Sequence, residues 1–175
     1  MATEIEAKFK IDNVDEIKQK VKLLGAVLKG TKQQIDTYYN HPVKKEFQGQ
    51  PTYLRIRTTD GKSKTAMHYK LKNYEWEELE TSLEDGDILR KIFENLGFSV
   101  DVEIVKKRET WEVPNGEIVL DAVDGLGNFM EIEVDSKEKL EHYCDKLELD
   151  LKNNKLQDTS YADLLKAKQR GDGSE

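Results

Sequence analysis

The chain has 175 residues, 37% hydrophobic and 36% charged, with 35 acidic against 28 basic side chains and a formal net charge of −7 at pH 7. That length is expected to bury a real core as a single domain over residues 1–168, followed by a polar, disordered tail at 169–175. The acidic balance argues against a general nucleic-acid binder, and there is neither an apolar run of membrane-spanning length nor an apolar N-terminal stretch of signal-peptide type. One cysteine, Cys144, excludes an intramolecular disulfide framework and fits the reducing cytoplasm.

A strand is expected first, at 4–11. Glu4-Ile5-Glu6-Ala7-Lys8-Phe9-Lys10-Ile11 alternates charged and apolar side chains, the mark of a strand with one apolar and one polar face. A helix follows from a cap at Asp12 or Asn13 to about Leu24, with Val14, Ile17, Val21 and Leu24 as its stripe and Gly25 as its stop. Strands are expected near 33–39, 53–58, 65–72 and 76–82, with Asp60-Gly61 closing a hairpin. His41-Pro42-Val43-Lys44-Lys45 reads as a loop and a candidate lid. A second helix after Asp85 carries the stripe Ile88, Leu89, Ile92, Phe93 and Leu96, and stops at Gly97. Strands near 103–113, 117–122 and 129–134 come next, with Asn115-Gly116 as the second hairpin turn. Ser136 caps a third helix that buries Leu140, Tyr143, Cys144 and Leu147, and a short fourth runs through Tyr161, Leu164 and Leu165. The two halves echo one another: paired glutamates on a strand, a helix ending in Leu-Gly, then a strand with paired cations.

Strand parity decides where the charges go. Ile5, Ala7, Phe9 and Ile11 share one side of their strand, as do Leu54 and Ile56, and Met130, Ile132 and Val134. These sides suit the amphipathic helices, so the fold expected is α+β: an eight-stranded antiparallel closed β-barrel with helices packed outside and a charged interior. Glu4, Glu6, Lys8, Arg55, Arg57, Lys70, Glu78, Glu80, Lys106, Arg108, Asp121, Glu131 and Glu133 would line it. Unpaired charge is too costly to bury, so the interior is expected to be a water-filled tunnel that awaits a charged ligand. Several Lys and Arg in one cavity call for a polyanion, and carboxylates beside that anion call for a divalent cation. A polyphosphate with Mg²⁺ or Mn²⁺ answers both needs. No zinc-type His and Cys spacing, P-loop or GxGxxG motif is present.

Glu4-x-Glu6-x-Lys8 resembles the signature of the CYTH superfamily, the triphosphate tunnel metalloenzymes. Further matches follow in family order: Asp36-Thr37-Tyr38-Tyr39, Leu54-Arg55-Ile56-Arg57, Tyr69-Lys70, Glu78-x-Glu80, Lys106-x-Arg108, Leu120-Asp121, Gly125-Leu126-Gly127, Glu131-x-Glu133 and Ser160-Tyr161-x-Asp163-Leu164-Leu165. The Asp-Thr-Tyr-aromatic segment and the Gly-Leu-Gly bring it nearest to the class IV adenylyl cyclase-like branch. The resemblance implies that Lys8, Arg55, Arg57, Lys70, Lys106 and Arg108 bind triphosphate. It implies that Glu4, Glu6, Glu78, Glu80, Asp121, Glu131 and Glu133 hold metal, and that Lys8, Glu6 and Lys70 take part in catalysis. The reaction implied is ATP to cyclic AMP and pyrophosphate. The alternatives are a triphosphatase acting on tripolyphosphate, thiamine triphosphate or a nucleoside triphosphate, and a non-catalytic polyphosphate-binding module; monomer and homodimer both stay open.

A single paired-Glu strand is usually a solvated face; it is the combination with cation pairs that points inward. His68 is expected to line the polar side, Tyr38 and Tyr39 to pack the barrel, and Cys144 to fill core. Trp76 and Trp111 fit either beneath the helices or at the polar rim. Removing Arg57 or Lys8 from a cluster of like charges is expected to weaken triphosphate binding without unfolding the chain.

Overall fold

Asn13 accepts a hydrogen bond from the Glu16 backbone N–H at 3.2 Å and starts the first helix, and Gly25 ends it at φ 78°. Such local signals hold along most of the chain. The computed structural model describes residues 5–43, 46–47, 50–70, 76–153, 155–156 and 159–171. In chain order these form β1 (Ile5–Ile11), α1 (Val14–Leu23), β2 (Val27–Asn40), β3 (Glu46–Phe47), β4 (Gln50–Thr59), β5 (Lys62–Lys70), β6 (Trp76–Leu83), α2 (Gly86–Asn95), β7 (Ser99–Val113), β8 (Gly116–Val123), β9 (Gly127–Val134), α3 (Lys137–Leu147), β10 (Lys155–Leu156) and α4 (Tyr161–Arg170). They fall into two units, residues 2–32 with 106–159 (the β1 unit) and residues 33–105 with 160–175 (the β4 unit). β2 and β7, neighbours in the hydrogen-bonded order, are long enough to give residues to both.

In the β1 unit the antiparallel order is β10-β1-β9-β8-β7. One face of this sheet is apolar. Ala7, Ile132, Ile118 and Trp111 lie directly across from one another on four adjacent strands. Ile17 and Val21 of α1 and Leu140, Tyr143, Cys144 and Leu147 of α3 close over that face, as the helix stripes predict. Each Ile, Leu or Phe so buried contributes roughly 1.5–3 kcal/mol. Trp111 is therefore beneath the helices, 5% exposed, with its indole N–H on Glu109 at 2.8 Å and the Lys22 ammonium 5.9 Å from the ring centroid.

In the β4 unit the order is β2-β4-β5-β6, with β3 beside β4. Asp60 and Gly61, both at positive φ, make the two-residue β4–β5 turn of the type that suits strand twist. The β7–β8 turn differs from expectation. Val113 pairs with Gly116, so Pro114 and Asn115 form the turn and Gly116 is the first strand residue. A Cβ on Gly116 would stand 2.2 Å from the Glu133 carbonyl oxygen, which explains the glycine.

Closure of the barrel is not shown, and two expectations are corrected. Among the described residues there are ten strands, two of them two residues long, and neither unit's order returns on itself, so these hydrogen bonds do not make a closed eight-stranded barrel. Three of the five α2 stripe residues are exposed: Ile88, Ile92 and Leu96 are 55%, 46% and 63% exposed. Phe93 of the stripe does meet the strands, together with Gly86 and Arg90 from outside it; Arg90 donates to Thr37 Oγ1 at 2.9 Å, and the Phe93 ring lies 5.1 Å from that of Tyr39. α4 also runs into the expected tail, ending at Arg170 with Gly171 as its left-handed cap.

Candidate active site

Residues directly opposite on paired strands share a face, so register alone assembles the polar side of the β1 unit. Lys8 faces Glu131, Glu6 faces Glu133, and Arg108 faces Asp121. Arg108 is the hub. Its Nε and Nη2 hold Asp121 Oδ1 and Oδ2 at 2.8 and 2.5 Å, and Nη2 also reaches Glu131 Oε2 at 2.5 Å. Lys8 Nζ is 3.1 Å from Glu131 Oε1 and donates to the Thr159 carbonyl at 3.4 Å. Lys106 Nζ lies 3.6 Å from Asp121 Oδ2, and Glu133 stands 4.0 Å from Arg108.

These groups are withdrawn from water: Lys106 and Asp121 are 2% exposed and Glu131 6%. Burial works to push the Glu131 carboxyl upward, but Lys8, Arg108 and Lys106 around it win and hold it well below its ordinary value. Burial likewise works against the Arg108 charge, and Glu131 and Asp121 outweigh it, raising its pKa well above the ordinary value. The buried charges of this face are paired with one another. The face also carries apolar Phe129 and Val119, 2% and 1% exposed.

In the β4 unit, Arg57 grips Asp36 with both branches of its fork, Nε to Oδ1 at 2.6 Å and Nη2 to Oδ2 at 2.8 Å. Arg55 Nη1 is 3.9 Å from Asp36 Oδ2. Asp36 is 1% exposed, so one buried carboxylate organises two candidate triphosphate ligands. Asp36 had no role in the sequence reading beyond its place in a motif. The signal was there: an acid at the parity of Tyr38, on the strand facing Arg55 and Arg57. Gln34, two residues before it, is 8% exposed and its Oε1 has no partner among the described residues. Glu80 is bound by exposed Lys64 at 2.7 Å, in a pairing that the alternation of β5 and β6 could have suggested. Glu4 lies outside the described residues, as do the side chains of Lys70, Glu78, His68 and Trp76 and residues Lys44 and Lys45 of the loop.

For a metal the donor chemistry is suitable. Among the described residues no three His, Cys, Asp or Glu side chains gather as a metal site. Glu6, Glu133 and Glu117 do stand in one row across β1, β9 and β8, three carboxylates set side by side. Like charges directly opposite repel, so the row favours a cation. Mg²⁺ is held through one or two carboxylates plus substrate phosphates and waters rather than by an all-protein cage, and Glu6 with Glu133 fits that pattern.

Comparison with known proteins identifies the family. The family model for the CYTH domain matches residues 2–162. The MJ0240 protein of Methanocaldococcus jannaschii, provisionally named an adenylate cyclase, is 35% identical over 135 residues, covering 74% of this chain and 75% of that one. The structure of PH1012 from Pyrococcus horikoshii OT3 superposes with a TM-score of 0.79 at 29% identity, over 92% of this chain and 98% of its own. A Hippeastrum protein, HpAC1, described as having a dominant triphosphatase activity, shares the fold at 16% identity, with a TM-score of 0.64 over 98% of this chain and 96% of its own.

Proposed function

Because the chain belongs to the CYTH domain family, we propose that it is a divalent-metal-dependent enzyme that binds a triphosphate through Lys8, Arg55, Arg57, Lys70, Lys106 and Arg108 and converts ATP to cyclic AMP and pyrophosphate. The observation that carries the reading is the arrangement around Arg108, where Asp121 and Glu131 gather Lys8, Lys106 and Arg108 on one face. Arg55 and Arg57 are gathered in the same way by Asp36. In this reading the 3′-hydroxyl oxygen attacks the α-phosphorus, the bond to the β-phosphate oxygen breaks, and the hydroxyl proton leaves to a base, with Lys8 and Lys70 balancing charge on the phosphate oxygens. Glu6 and Glu133, with Glu4, Glu78, Glu80, Asp121 and Glu131 as further candidates, would hold Mg²⁺ or Mn²⁺, which supplies neutralisation of the triphosphate beside carboxylates. The named relative from M. jannaschii supports cyclisation over hydrolysis.

The test is product identification. The protein is incubated with Mg²⁺ or Mn²⁺ and ATP, thiamine triphosphate or tripolyphosphate. Cyclic AMP with pyrophosphate is expected from ATP. Orthophosphate instead replaces cyclisation by a triphosphatase, and binding with no product leaves a polyphosphate-binding module. Glu6→Gln and Glu133→Gln should each abolish turnover with the fold intact; full activity of both, or in excess EDTA, overturns the metal assignment.

A further inference from the structure

Asp163 sits at the third helical position of α4 and completes a capping box: its Oδ2 accepts from Ser160 Oγ at 2.7 Å and from the Ser160 backbone N–H at 3.3 Å, while Ser160 Oγ accepts from the Asp163 N–H at 3.1 Å. A capping box needs nothing more, yet the same Oδ2 takes a further hydrogen bond, from the Tyr53 hydroxyl at 2.8 Å. Tyr53 stands on β4 two residues before Arg55, on the same face of the strand. Its ring meets that of Tyr38 edge-on, with centroids 6.4 Å apart and planes at 83°. Tyr38 on β2 lies directly across from Arg55 on β4. A second tie, Lys166 Nζ to Asp101 Oδ2 at 2.5 Å, fixes α4 against β7 in the same unit.

We propose that Asp163 and Tyr53 are positioning residues for the candidate triphosphate ligand Arg55, acting through the Tyr38 ring. The inference rests on the triphosphate reading above. Two directional contacts, a hydroxyl on a carboxylate and an edge on a ring face, run from the helix cap to Tyr38, and strand register sets Tyr38 against Arg55. Desolvation of Tyr53, its hydrogen bond to Asp163 and that residue's negative charge keep the Tyr53 hydroxyl protonated, so it serves as a donor throughout the working pH range. Arg55 is 8% exposed, so a small turn of its plane cannot be made good by solvent. Its fork binds phosphate oxygens only when that plane is set.

Tyr53→Phe removes one oxygen and keeps the ring. The expected result is a loss of about five- to tenfold in affinity for inorganic tripolyphosphate with Mg²⁺, the size of one hydrogen bond, with the ligand-free melting temperature within about 2 °C of the parent. Asp163→Asn should act in the same direction. In an Arg55→Lys background, which has no planar fork to orient, Tyr53→Phe should add less than about twofold. A ligand-free readout separates this inference from the triphosphate reading. The Arg55 side-chain ¹⁵N resonance, assigned by its loss in Arg55→Lys, should shift or broaden in Tyr53→Phe. If the parent does not bind tripolyphosphate, the triphosphate reading fails while the resonance still decides the coupling. An unchanged resonance, unchanged affinity, or an equal loss in both backgrounds overturns the positioning role.

Discussion

At Asp36 a single carboxylate sets the consequence of changing an arginine. Arg57→Ala, expected from a cluster of like charges to leave stability alone, would strip a carboxylate that is 1% exposed of its bidentate partner. Breaking such a buried pair costs about 3 kcal/mol or more, against which Arg55 at 3.9 Å offsets little. A urea midpoint should show that loss, and Asp36→Asn placed on top should recover part of it; a change below about 1 kcal/mol would remove the case for Asp36 as organiser. Glu131 gives a pH signature of definite sign. Its carboxyl is held below the ordinary 4.5 in the folded chain, so around and under that pH the unfolded chain binds more protons. The contribution is complete above about pH 4.5 and is lost as pH falls through the depressed folded value. Glu131→Gln should weaken the fold at neutral pH and flatten the acid limb of stability against pH. An acid limb identical to the parent's would place that sensitivity in other carboxylates.

Among the elements, β8 and β9 show how much rests on one missing side chain. Gly116→Ala would drive a Cβ into the Glu133 carbonyl, at 2.2 Å, and the neighbour is backbone that cannot turn away. A loss of about 3 kcal/mol is expected, together with weakened hydrogen-exchange protection along β9; a loss under about 1 kcal/mol would mean that the strands slide apart easily. The strand faces and three of the four helix stripes were legible in the sequence because a half-buried element must sort its side chains by period. Leu140, Tyr143, Cys144 and Leu147 are all buried as their spacing required. The α2 stripe was read only in part, because an apolar face has a direction only once the neighbours are known, and Arg90 turns its side of the helix to the strands through Thr37, Tyr39 and Thr58. The candidate site was legible as a set of charges on one parity. Which charge holds which was not, because ion pairing is settled by register: Lys106, Arg108 and Asp121 are brought together by β7 and β8, and nothing in the local sequence of β7 names its partner.

For the molecule as a whole, the formal charge of −7 opposes the approach of an anion at long range while its cations sit recessed among carboxylates. Turnover at low substrate should therefore stay level or rise as salt goes from about 0.01 to 0.15 M, where the screening length shortens from about 30 to 8 Å. A steep fall would show that local cations govern capture. A different consequence follows from Cys144, the sole thiol of the chain, 1% exposed beneath α3. Alkylating reagent added to the native protein can react only during excursions that lift α3 from the β1 unit. The rate at which intact mass increases by one adduct is thus a clock for that opening, and the chain carries this reporter without any engineered label.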